Sequence, residues 1–223
     1  MYAMFDADMS LEKLDVSSFQ TNKVTDMKFM FFEMRKLKEL DLSNFNTSKV
    51  INMGHMFANA YVLEKLDISR FDTSNVVNMG YMFYQNHKLN PLNLSNFNTS
   101  RVQDMSYMFS NMWALENLDV SSFDTSNVTN MAHMFGGLAK ITTLNLNNFN
   151  TSKVTNMWCM FNSMLIIENL SLPSFDTQNV TNMRGMFGAM EGLKNLNISS
   201  FDTSSVRDFR YMFGLGTVPD YDH

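Results

Sequence analysis

Four histidines, one cysteine and a periodic set of aspartates are the residues of this chain with types suited to chemistry. His55 and His133 fall at the same place in a repeating pattern but three repeats apart, roughly 14 Å by strand spacing, too far to share one metal ion. His87 reads as a loop residue and His223 is terminal. Asp15, Asp41 and Asp67 form a column that would attract cations, yet a spacing of about 5 Å between successive strands is wide for one calcium ion. Lys13 and Lys65 read as their counter-charges. The serines Ser17, Ser43, Ser69, Ser95 and Ser121 recur at one position, which marks a structural role rather than one activated nucleophile. There is no glycine-rich phosphate loop after a strand, no Cys-x-x-Cys and no nucleophile elbow. The expectation is a protein that is not an enzyme and holds no cofactor and no metal.

Composition narrows the classes further. The chain has 223 residues, 45% apolar and 17% charged, enough to bury a core. A net charge of −5 without a basic stripe argues against a nucleic-acid partner. One cysteine, Cys159, excludes an intramolecular disulfide. No apolar run reaches the roughly 18 residues that would suggest a transmembrane segment. The first residues show no export signal. Met1, Met4 and Phe5 fill the slots of Met27, Met30 and Phe31, so the pattern starts mid-repeat and a fragment of a longer chain is expected.

The element that must position these residues is the repeat itself. Phe19, Phe45, Phe71, Phe97, Phe123, Phe149, Phe175 and Phe201 follow one another at one constant interval with no insertion. Strict periodicity of this kind predicts stacked units, each touching its neighbours. In LKELDLSNF, Leu40 and Leu42 alternate with Glu39 and Asp41, which predicts a short half-buried strand. NTS or DTS follows, with side-chain oxygens suited to a helix start. Val50, Met53, Met56, Phe57 and Ala60 then share one side of a helical wheel, and the many methionines read as core filler.

The unit L..LD.S.FDTS.V.NM..MF, nearly verbatim at Phe123 to Met131 and at Met134 and Phe135, resembles the repeat of BspA-like leucine-rich-repeat bacterial surface proteins over essentially the whole chain. The expected fold is α/β: a leucine-rich-repeat-like solenoid of about eight 26-residue strand-turn-helix coils, with a parallel sheet on one face and short helices on the other. Residues 1–213 form the repeat domain and 214–223 a tail. The resemblance implies a cell-surface, extracellular role in adhesion, with a protein or carbohydrate ligand. A structural spacer, or a solenoid associating head to tail, is the alternative.

Two slots vary together. The residue after Phe and the residue three further on read Asn46 with Lys49, Asp72 with Asn75, Asn98 with Arg101, Asp124 with Asn127, Asn150 with Lys153 and Asp176 with Asn179. Stacking would set Lys49 beside Asp72, Arg101 beside Asp124 and Lys153 beside Asp176, avoiding like charges on adjacent strands. Duplication of a two-unit block would leave the same trace. Two surfaces are candidates for binding: a sheet face carrying Asp15, Glu39, Asp41, Asp67, Asn93 and Asp119, and a helix face carrying Phe29, Phe32, His55, Tyr81, Tyr84 and Tyr107. Trp113 and Trp158 are expected to be partly buried at helix ends.

Overall fold

A computed structural model describes residues 1–7 and 9–214. Strands β1 (Glu39–Asp41) and β2 (Lys65–Asp67) pair in parallel, with Glu39 opposite Lys65 and Leu40 opposite Leu66. Strands β3 (Asn169–Ser171) and β4 (Asn195–Asn197) pair the same way. Partners that occupy the same slot of successive units set each unit beside the next in register. The period-two reading holds in β1, where Leu40 is buried between exposed Glu39 and Asp41. Pro91 occupies the next strand slot after Lys65 and has no N–H to donate, and the first pair is not extended there.

The helical layer does not form, and with it goes the leucine-rich-repeat-like α/β solenoid. Among the described residues there is no helix and the strands are two short parallel pairs. The stretch from Met53 to Ala60 sends its N–H groups sideways instead of back along itself. Met53, His55, Phe57 and Asn59 donate to the carbonyls of Asn78, Gly80, Met82 and Tyr84 in the next unit, at 2.8–3.0 Å. Tight turns closed by Met56 N–H to Met53 O and Ala58 N–H to His55 O fill the intervals. His55 and Asn59 have φ of 56° and 61°, outside the right-handed helical region. A second ladder of parallel bridges runs on this side from Asp26 through Asn52, Asn78, Asp104, Asn130, Asn156 and Asn182 to Asp208.

Width explains the outcome. Paired strands repeat about every 4.8 Å, whereas a helix with its side chains is about 10 Å across. Backbone pairing in register on both sides of the unit leaves no room for one helix per unit. The apolar positions still point inward, because a spacing of three residues fits successive turns as well as a helical wheel.

The core is a set of columns. Phe31, Phe57, Phe83, Phe109, Phe135, Phe161 and Phe187 stack with centroids 5.7–6.1 Å apart. Met53, Met56, Met79 and Met82 are fully buried beside them, as filler.

Polar columns hold the turns. The threonine of NTS or DTS caps no helix. Thr47 is buried, and its Oγ1 donates to Asp72 O at 2.9 Å while accepting from Asp72 N–H at 2.8 Å. Thr73 clamps Asn98, Thr99 clamps Asp124 and Thr125 clamps Asn150 in the same way. Side chains of Asp or Asn fold back on the N–H two residues ahead at three places per unit, as at Asp41 to Ser43, Asn46 to Ser48 and Asn52 to Gly54, at 2.8–3.1 Å.

Candidate functional site

The sheet-face residues are occupied in structure. Asp15, Asp41, Asp67, Asn93 and Asp119 each accept the N–H of the serine two residues on, at 2.8–3.0 Å. The hydroxyls of Ser17, Ser43 and Ser121, and after them these N–H bonds, favour the ionised form and hold the carboxyls of Asp15, Asp41 and Asp119 below the ordinary range. Glu39 pairs with Lys65 at 2.6 Å on the exposed face. Among the described residues no three of His, Cys, Asp and Glu gather as metal ligands.

The charge slots pair differently from expectation. Among the described residues no ion pair joins Lys49 to Asp72, Arg101 to Asp124 or Lys153 to Asp176. Arg101 Nη1 donates to Asn75 Oδ1 at 2.8 Å and Lys153 Nζ to Asn127 Oδ1 at 2.7 Å, straight down their own column. Asn75, Asn127 and Asn179 turn their amide N–H to the carbonyls of Ser48, Ser100 and Ser152 in the preceding unit, at 2.7–2.8 Å. An amide can donate to one neighbour and accept from a cation on the other, which an aspartate or a lysine cannot. Alternation therefore serves hydrogen bonding across units. Asp72 and Asp124 hold the N–H of Ser74 and Ser126.

The aromatic residues assigned to the second face do gather, in a ladder of rings rather than on helices. Phe29, His55, Tyr81, Tyr107 and His133 stack face to face with centroids 4.3–4.5 Å apart. Phe32 and Tyr84 stand edge-on against it, at 5.4 Å from Phe29 and Tyr81. All these rings are half-buried, so the face is less open than a loose apolar patch would be. Burial, then the nearby Lys28 charge, pushes the His55 pKa down to about 4.

The ladder ends beside a hollow. Gly136 and Gly137, the one adjacent glycine pair in the sequence, stand where the preceding unit has Ser110 and Asn111 and the following unit has Asn162 and Ser163. Beside them lies a space of about 240 Å³ bordered by Tyr84, Tyr107, His133 and Trp158. Gly137 has φ of 71°, and a Cβ there would collide with Asn111 Oδ1. Trp158 Nε1 and Asn162 Nδ2, on lining residues, are buried without a hydrogen-bond partner. Rings, amides and hydroxyls around one concavity are groups that bind neutral polar molecules.

A family model described as Mycoplasma protein of unknown function, DUF285, matches residues 1–111, 86–169 and 139–218. The chain belongs to that family. Three overlapping matches within one chain are the mark of a repeat protein. No curated protein and no solved structure matches it. No helix of the described residues is long and apolar enough to cross a membrane, and the tail assigned to 214–223 lies, beyond Gly214, outside the described residues.

Two features of the site escaped the sequence reading. Arg35, Tyr61, His87 and Trp113 share one slot and form a second ladder: the guanidinium lies 5.6 Å from the Tyr61 centroid, and His87 stacks on Trp113 at 3.7 Å. Trp113 is 50% exposed at its end, more open than the partial burial expected, while Trp158 is half-buried; neither stands at a helix end, because no helix forms among the described residues. The repeat register alone would have aligned these four residues. The glycine pair was equally visible, as the one unit with glycine in both slots, although Gly188 and Gly214 share the first of them.

Proposed function

We propose that the chain is a non-enzymatic binding module that works at a cell surface and takes a neutral carbohydrate in the Gly136–Gly137 hollow. One observation carries the reading. Most chemistry-bearing columns satisfy themselves from unit to unit, whereas this one is interrupted and leaves rings and polar groups around an open space. The volume of about 240 Å³ suits one sugar ring with its hydroxyls on the lining amides. Likeness of the unit to bacterial surface repeats supports the location, and antibody labelling of intact source cells checks it; signal only after lysis contradicts it.

Trp158 lines the hollow, so a Trp113→Phe background makes tryptophan fluorescence a local reporter. Titration with oligomers of glucose, galactose and N-acetylglucosamine should give a saturable change with at least one of them. Gly136→Ser, which restores the residue found one unit earlier, should lower the affinity about tenfold, about 1.4 kcal/mol, with a modest fall in melting temperature as His133 Nδ1, 3.1 Å from the new Cβ, gives way. Binding unaffected by the serine, or no response to any of the three, contradicts the proposal.

A further inference from the structure

The N-terminal half of the chain carries a concentration of positive charge that a net charge of −5 does not prepare for. Lys13, Arg35, Lys36, Lys38 and Lys88 line one concavity of about 450 Å³, with Glu12 as the single carboxylate and Val62 as an apolar wall. These are five of the 17 lysines and arginines. Arg35 is held by Glu33 at 2.9 Å and lies over the Tyr61 ring. Lys88 has Glu64 at 4.0 Å. Lys13, Lys36 and Lys38 have no carboxylate within 4.0 Å among the described residues. Elsewhere along the stack Lys65, Lys140 and Lys194 are each matched by a glutamate in an adjacent unit, while Lys49 and Lys153, exposed and without such a match among the described residues, stand a full four units apart rather than together.

We infer that this concavity binds a ligand bearing two or more phosphate or sulfate groups. Like charges crowded on one surface repel one another, and a concave wall of one sign focuses the field on a counter-ion. The cations come from adjacent units about 4.8 Å apart, so Lys36 and Lys88, two units apart, present charge over about 10 Å. That span fits two oxyanions on one molecule better than a single small ion. Arg35, fixed by Glu33, offers a planar fork for one of them, and the lysines adjust around the other. The site is separate from the carbohydrate hollow and stands or falls without it.

Calorimetry in about 20 mM salt, with inorganic pyrophosphate in one arm and sucrose octasulfate in the other, tests the inference. One ligand per chain is expected, with affinity falling as salt rises; the tighter arm identifies phosphate or sulfate as the source. Lys36→Glu with Lys38→Glu should weaken binding at least about tenfold. Lys140→Glu with Lys153→Glu makes the same change in net charge elsewhere and should leave it within about twofold. A thermal melt confirms folding of each, and Lys13→Gln, a milder change, should weaken binding about threefold. No binding in either arm, or equal losses in both double variants, overturns the site, since the second result would mean diffuse attraction to the whole surface.

Discussion

At the scale of single residues, the threonine of NTS or DTS contributes most per atom. Its hydroxyl is both donor to and acceptor from the backbone of the next unit, and in Thr73 it is buried. Thr73→Val keeps the shape but removes the partner of the N–H and C=O of Asn98, at up to about 1–3 kcal/mol for each of these part-buried bonds. Denaturant melts should show a loss of about 2–4 kcal/mol for valine and under about 1 kcal/mol for serine, which keeps the hydroxyl. His55 supplies a second test. The unfolded chain takes up its proton near 6.5, whereas the folded chain holds His55 neutral down to about 4. Its contribution to stability is therefore present above pH 6.5 and is lost as pH falls from there toward 4. Burial lowers the His87 pKa too, in the same direction. His55→Tyr, the residue already found at 81 and 107, should flatten much of the fall in melting temperature across that window. An unchanged profile would mean that the ladder does not resist protonation.

At the scale of the element, the unit is a chain of turns whose left-handed positions repeat. One such column runs through Phe29, His55, Tyr81, Tyr107, His133 and Cys159, and another through Glu33, Asn59, Gln85, Asn111, Ser163 and Ala189, with φ of 51–61° throughout. L-residues adopt this conformation at a cost of about 1–2 kcal/mol each, here offset by hydrogen bonds to the neighbouring unit. Ala189→Gly removes only a methyl group and relieves that cost, so it should raise stability by about 0.5–1 kcal/mol. Ala189→Val should lower it, because a β-branched side chain fits the region poorly. Matched melts of the two variants check the order.

Much of the strand side was legible in the sequence, since Leu40 between Glu39 and Asp41 permits few other readings. The other side was not, because Val50, Met53, Met56 and Phe57 satisfy a helix and a run of three-residue turns equally well. What separates the two is the partner of each N–H, a contact in the next unit that local periodicity cannot show. The ring ladder was partly legible: the pattern sets Phe29, His55, Tyr81 and Tyr107 on one face, but their mutual stacking required the in-register spacing.

At the scale of the whole molecule, order comes from each unit's bonds to the ones before and after it, so the constant length of the unit is the quantity to perturb. Removing residues 167–192 joins Ile166 to Leu193 and preserves every column. That variant should still unfold cooperatively, with a lower melting temperature. Removing 167–191 shifts the following units by one position, turns their buried side chains outward and should abolish the folded state for those units. Equal behaviour of the two deletions in a thermal melt would deny that register is what the sequence specifies.

The central claim is that hydrogen bonds on the turn side run between units and form no helix. Through-hydrogen-bond scalar coupling, measured by NMR on deuterated protein, reads it directly at the amide of Phe57. The structure predicts coupling from Phe57 N to the carbonyl carbon of Met82, across a bond of 3.0 Å. Coupling to the carbonyl carbon of Met53, four residues back, would establish a helix there and contradict the account.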